Sequence, residues 1–439
     1  VYPNPQDAFP LPPRANLEQY KKLAKELAQA CRADDPAAFR EWATNWIAKL
    51  LRLTEQEGAR AIDNDSAADQ FEQFVRREAA ASKKFSLTQA QFVIARAHGF
   101  ESWPKLAKHI SAMSGTSSAV AEFERAADAI VAGDLPALET FLRANPDLIH
   151  QRSTREHGAT LLHYVSANGV ENYRQRTPKN IAVIAERLLK AGADVNAAAN
   201  VYGGGSTALS LVATSVHPER AGVQEQLMDV LLRHGAIIDR AVAPNDTHGR
   251  IVNACLANGR GRAAAFLATR GAEIDLEGAA GVGNLDAVKT FFRGKTLAAG
   301  ATKPQMERGF LWACEYGHIS VIEFLLERGA SLLSQADTGL TALHWAVVGG
   351  QVETIRLLLA RGASLETRNA YDGDALGQAF WSAVNDDSGT DHVPTIEILL
   401  EAGARIEDGT LAWIDRQKKV SPALKSRLTD VLRRRGAKS

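Results

Sequence analysis

Along Gly339–Asn369 the apolar residues recur with a helical period that glycine interrupts twice. Thr341 opens a short helix with Leu343, Ala346 and Val347 on one face. Gly349-Gly350 stops it, because glycine takes the left-handed conformation a tight turn needs. Val352, Ile355, Leu358 and Leu359 follow at i, i+3, i+6 and i+7, which predicts a second amphipathic helix. Gly362 ends that helix, and Ala363–Leu365 leads away as an extended piece. Neither helix can bury its apolar face alone, so the pattern requires copies of itself on either side.

The copies exist. Gly192-Ala193, Gly235-Ala236, Gly271-Ala272, Gly329-Ala330, Gly362-Ala363, Gly403-Ala404 and Gly436-Ala437 each mark a helix end. The steps from 329 to 362 and from 403 to 436 are both 33 residues; 362 to 403 is 41, 192 to 235 is 43 and 235 to 271 is 36. Thr341-Ala342-Leu343-His344-Trp345-Ala346 is echoed by Thr160-Leu161-Leu162-His163 and Thr207-Ala208-Leu209-Ser210. On these residues the chain resembles the ankyrin repeat family, with its period of about 33 and its T-P-L-H-x-A signature, Ala342 standing for the Pro. The resemblance covers roughly residues 119–439. It implies an all-α fold, an ankyrin-like helical repeat solenoid of about eight to nine units joined by short β-hairpin connections. It also implies a binding module whose concave groove holds a protein or peptide partner, without naming that partner.

The part before residue 119 lacks the period. Residues 1–16 carry five prolines and read as an extended arm. Residues 17–113 read as a small helical domain: Leu17, Tyr20, Leu23 and Leu27 recur at helical spacing, and Ala37–Leu53 and Ala67–Ala81 are further helical stretches split at Asp63-Asn64-Asp65. Ser86-Leu87-Thr88-Gln89 is a capping box. Ser102-Trp103-Pro104 opens another helix, with Pro in the first turn where its missing N–H costs nothing. The run from Ser86 to Leu106 resembles a segment that precedes ankyrin arrays in a group of bacterial proteins, to which no activity attaches. Residues 114–118 read as a linker to the array, residues 119–439.

Lys+Arg and Asp+Glu are both 51, so no net field draws the chain to nucleic acid or to an anionic membrane. Basic pairs such as Lys83-Lys84 lack the aromatic interleaving of a nucleic-acid surface. Cys31, Cys255 and Cys314 have neither disulfide nor zinc-ligand spacing, and Cys255 and Cys314 align with the small buried positions of a repeat. No apolar run is long enough to span a membrane, and Val1-Tyr2-Pro3 begins no signal-peptide pattern, which points to a cytoplasmic chain. No motif calls for a cofactor or a metal. The Gly-rich Tyr202-Gly203-Gly204-Gly205 falls where a hairpin tip belongs and not between a strand and a long helix, so it reads as a loop.

Repeat register assigns candidate binding positions. The places of Trp345, Val348 and Gly349 share one face of a first helix, and an ankyrin-like stack turns the last two toward the groove. The equivalents are Tyr164, Ala167 and Asn168; Leu211, Thr214 and Ser215; Ala254, Ala257 and Asn258; Trp312, Glu315 and Tyr316; and Gln378, Trp381 and Ser382. Trp312 and Trp345 read as packing between units, whereas Tyr316 and Trp381 read as groove residues, being aromatics with a polar handle suited to binding. Three units are longer than the period, at Glu171–Asn180, Val216–Gln224 and Asn385–Val393, and loops on a rigid scaffold often carry function. They hold Arg174 and Arg176; His217, Glu219 and Arg220; and Asp386, Asp387 and His392. This supports an alternative reading: the insertions close over the groove and make a small-molecule pocket, with acid–base groups fit for an enzyme. His344, His163 and His318 match family positions that imply structural roles. Arg433-Arg434-Arg435 reads as the polar outer end of the last unit, not as a phosphate site.

Overall fold

The computed structural model describes residues 4–12, 14–33, 35–54, 64–80, 85–114, 118–239, 250–336, 338–386, 389–417 and 420–435. The helix end at Gly436-Ala437, the break at Asp63, Lys83-Lys84, residues 115–117 of the linker and Asp387 lie outside them. The fold is all-α, with one two-stranded sheet among the described residues. The chain forms two compact units, Val1–Ile238 and Asp239–Ser439.

The first unit opens with five helices: α1 (Leu17–Ala30), α2 (Pro36–Leu51), α3 (Asn64–Ala80), α4 (Leu87–Ala97) and α5 (Trp103–Met113). Their starts follow the caps in the sequence. The Asp35 side chain accepts from the Ala37 and Ala38 N–H groups, and Ser86 and Gln89 form the reciprocal capping box. Phe9, Tyr20, Trp46, Phe71 and Phe100 lie in their common core. Repeats follow. The helix α6 (Ala119–Ala132) ends at Gly133, whose φ of +77° lets α7 (Leu135–Ala144) double back. The next unit departs from the expected pair of helices. Its first member is a 3-10 turn, Leu161–Ser166, ended by Ala167 at φ 47°, and only its second, α8 (Ile181–Lys190), is α-helical. An L-residue in that conformation costs about 1 kcal/mol, which the surrounding packing offsets. Then come α9 (Ala208–Thr214), the inserted α10 (Val216–Arg220) and α11 (Gln224–Arg233). The boundary expected at 114–118 falls inside this compact unit. The Glu156 N–H donates to Gly99 O at 2.9 Å, and Arg96 pairs with Glu156, joining the helical segment to the first repeats.

In the second unit the helices come in pairs: α12 (Ile251–Ala257) with α13 (Gly261–Thr269), α14 (Leu276–Gly281) with α15 (Leu285–Thr290), α16 (Lys303–Glu315) with α17 (Ile319–Glu327), α18 (Ala342–Val348) with α19 (Val352–Ala360), α20 (Ala375–Asn385) with α21 (Val393–Glu401), and α22 (Thr410–Arg416) with α23 (Pro422–Arg434). First helices pack in series, α14 on α16, α16 on α18 and α18 on α20, while α19, α21 and α23 stack behind them. The core runs through the stack and contains Phe310, Leu343, Leu358, Ile396 and Leu428. Cys255 and Cys314 are buried, as their alignment with small core positions requires. The expected hairpins are mostly reduced to single bridges, Arg152 with Thr160, Ala199 with Ser206 and Gln335 with Thr341. A true hairpin, β1 (Phe292–Arg293) with β2 (Thr296–Leu297), follows α15. At the last helix Arg434 and Arg435 reach back to Glu397 and Glu401, at 3.0 and 3.1 Å, as cap residues facing water on one side.

Candidate functional site

In the second unit the register positions converge where α16 meets its neighbours. Glu315 and Tyr316 end α16, and Gly349 ends α18 against the Glu315 backbone carbonyl. A side chain at 349 has no room, so glycine is required there by close approach and not by φ, which is −76°. Tyr316 does not stand free in a groove. Its ring lies on Gly261, and its hydroxyl donates to Leu256 O at 2.7 Å, bridging back past α14. The Glu315 carboxyl is buried, and its Oε2 has no hydrogen-bond partner. Burial pushes it up to about 8, against the opposing pull of Tyr316 and Arg260, so near neutral pH it is held mainly as the acid. Arg260, which the register did not single out, lies in the field of Tyr316, Asp386 and Glu315, and burial lowers its own pKa. Its signal in the sequence was its place two residues after Asn258. Asn258 is exposed, and its side chain donates to Ala254 O at 2.8 Å.

The insertion at 385–393 does bring its acid and base together. His392 is buried, with Nε2 at 3.0 Å from Asp386 Oδ2, and its Nδ1 has no partner. Of the α20 positions Gln378 and Ser382 turn inward and share a hydrogen bond of 3.3 Å, whereas Trp381 is 57% exposed. Trp312 is buried, and Trp345 is half-buried with its indole N–H unpartnered, so both pack within the stack.

In the first unit the candidate residues separate. Tyr164 is a correction: it is wholly buried, edge-on to Phe123 and His157, and lines no surface. The equivalent Trp312 and Trp345 also pack inward, so this register position faces the core and not the groove. Asn168, Thr214 and Tyr202 form one polar strip: the Asn168 amide donates to Thr214 Oγ1 at 3.1 Å and accepts from the Tyr202 hydroxyl at 2.7 Å. Tyr202–Gly205 is the hairpin tip expected there, with φ positive at all four residues. Ser215 is buried and caps α10 by accepting from the His217 N–H, at 3.4 Å. Arg220 ends that helix, exposed.

Sequence reasoning missed the densest charge cluster. Arg155, Glu124, Glu171 and Arg174 are all buried. Arg155 Nη1 donates to both oxygens of Glu124, Arg174 Nη1 donates to Glu124 Oε2 at 2.6 Å, and Arg174 Nε donates to Asp128 at 2.8 Å. Arg155 Nε lies 2.9 Å from Glu171 Oε1. Burial opposes charge on Glu124 and Glu171, but the two guanidinium groups outweigh it and hold both carboxyls well below their ordinary range. The insertion at 171–180 therefore supplies Glu171 and Arg174 to the interior of the unit, while Asn172 and Lys179 stay exposed. Among the described residues no group of three or more His, Cys, Asp or Glu side chains could hold a metal ion, and no helix is long and apolar enough to cross a membrane.

Residues 276–369 and 310–410 match the ankyrin repeat family model, in three copies. This stretch of the second unit is therefore built of ankyrin repeats, a class that generally serves protein–protein interaction. No curated protein matches the chain.

Proposed function

We propose that the second unit is a protein-docking module that takes a peptide or protein segment on the face of the α20 repeat. One observation carries this reading: Trp381, at a position that the repeat register assigns to the groove, is 57% exposed. Tyr371, in the turn that leads into the same helix, is 79% exposed. Large aromatics contribute most when a partner covers them, and they lose little rotamer entropy in doing so. Peptides selected from a random displayed library on the whole chain test the reading. Binding should weaken by at least about tenfold with Trp381→Ala, the loss expected of an anchor residue. Binders indifferent to both Trp381→Ala and Tyr371→Ala would overturn it.

A second reading rests on Glu315, a buried carboxyl with an unpartnered oxygen in the field of Arg260. Here the Asn385–Val393 insertion covers a small polar ligand that pairs with that oxygen. Small-molecule binding that survives Glu315→Leu would remove the support for it.

A further inference from the structure

The Pro-rich arm is held the way a peptide ligand is held. Pro5–Asp7 forms a 3-10 turn, closed by the Asn4 N–H and side-chain amide donating to Asp7 Oδ2 at 2.7 and 3.1 Å. That turn packs against Asn172–Arg174 of the 171–180 insertion. The chain then runs over Gly99, where the Ala8 methyl lies 3.1 Å from the place a Cβ would occupy. At Phe9 both backbone groups are engaged by the end of α4. Its N–H donates to Ala97 O at 2.8 Å, and its carbonyl lies 3.0 Å from His98 Nδ1, which donates as the neutral Nδ1–H form. Burial keeps His98 neutral, with its pKa pushed down to about 4.

The Phe9 ring enters an aromatic box, edge-on to Trp46 at 5.7 Å and to Phe71 at 6.5 Å between centroids. Tyr20 and Trp46 in turn meet the His98 ring edge-on, at 5.3 and 5.9 Å. One buried aromatic anchor, with the N–H and C=O beside it both paired, is the geometry by which an extended segment is recognised through its main chain and one side chain. The groups that meet Phe9 belong to helices α1–α4 and the His98 cap that ends α4, none to the arm itself.

We propose that the box formed by Tyr20, Trp46, Phe71, Ala97 and His98 is a docking site for a proline-flanked segment with a single aromatic anchor, and that residues 4–9 of the chain fill it in cis. A partner with the same pattern, an acid two residues before a Phe that precedes Pro, competes with the arm for this site.

The test uses the full chain with a protease site inserted between Arg14 and Ala15, cut after folding. The cut segment is expected to stay bound through gel filtration. A fluorescent peptide of residues 4–12 should exchange into the site, and its Phe9→Ala version should bind about tenfold more weakly or worse, the loss of one aromatic anchor. Three results would overturn the proposal: the peptide of residues 4–12 fails to bind the cut protein, the Phe9→Ala peptide binds equally well, or cutting unfolds the helices by circular dichroism. The last would make Phe9 a core residue and not a ligand.

Discussion

Arg155 grips Glu124 with two hydrogen bonds, 2.9 and 3.0 Å long, and only 2% and 5% of the two side chains reach solvent. The pair joins α6 to the loop before the 161–166 turn, and Arg174 of the insertion closes on the same carboxylate. Removing one partner strands buried charge, so Glu124→Ala should cost about 3–5 kcal/mol in a urea melt of the first unit. A loss below about 1 kcal/mol, typical of surface pairs, would show that water reaches the cluster.

The two units should respond differently to pH, because the second sets raised carboxyls against its own histidines His318 and His344, whose pKa values burial lowers. In the first, burial lowers His98, His109 and His163 to about 4. An unfolded chain takes up protons as pH falls through 6.5, while the folded one resists until about 4, so stability drops across that window. Glu124 and Glu171, held low, add a further loss below about 4.5. In the second unit burial raises Glu315 to about 8 and Glu277 to about 7. Their contribution is full below about 4.5 and fades as pH rises through these values, because only the unfolded chain releases the protons early. Amide hydrogen exchange at pH 5 and pH 8 reads both units in one sample. First-unit protection should rise from pH 5 to pH 8, and second-unit protection should rise less or fall, after correction for intrinsic rates. An equal rise in both units would refute the assignment.

Gly349 and Gly362 should differ in kind. Gly349 abuts the Glu315 carbonyl, so Gly349→Ala forces backbone apart and should cost roughly 3 kcal/mol. Gly362 has open space around it but a φ of +88°, so Gly362→Ala pays only the left-handed conformation, about 1 kcal/mol. Chemical denaturation of the two variants distinguishes them, and equal costs would mean that α16 and α18 adjust freely.

Tyr316 and Trp381 form another contrasting pair. Tyr316→Phe loses the bond to Leu256 O and should destabilise the second unit by about 1 kcal/mol. Trp381→Ala should leave the melt within about 0.5 kcal/mol, as exposed positions do. A large stability loss from Trp381→Ala would place the indole in the packing and remove it from the proposed docking face.

The helix pairs of the second unit were legible in the chain itself. Leu343, Leu358 and Cys314 are buried because period and glycine punctuation are local properties, and each repeat meets the same neighbours. Local signals also place the caps at Ser86 and the hairpin tip at Tyr202. Which side chains stay exposed was not local. Register assigns both Tyr316 and Trp381 to the groove face, yet one bridges to Leu256 and the other faces water. That difference depends on what each ring meets in the packed stack, which register does not encode. The Glu124–Arg155–Glu171–Arg174 cluster joins residues up to 50 apart, and no spacing rule brings such charges together. Only folding sets the low-dielectric interior that pairs them, lifts Glu315 and seats Phe9, because burial and charge contact are properties of the packed chain and not of its order.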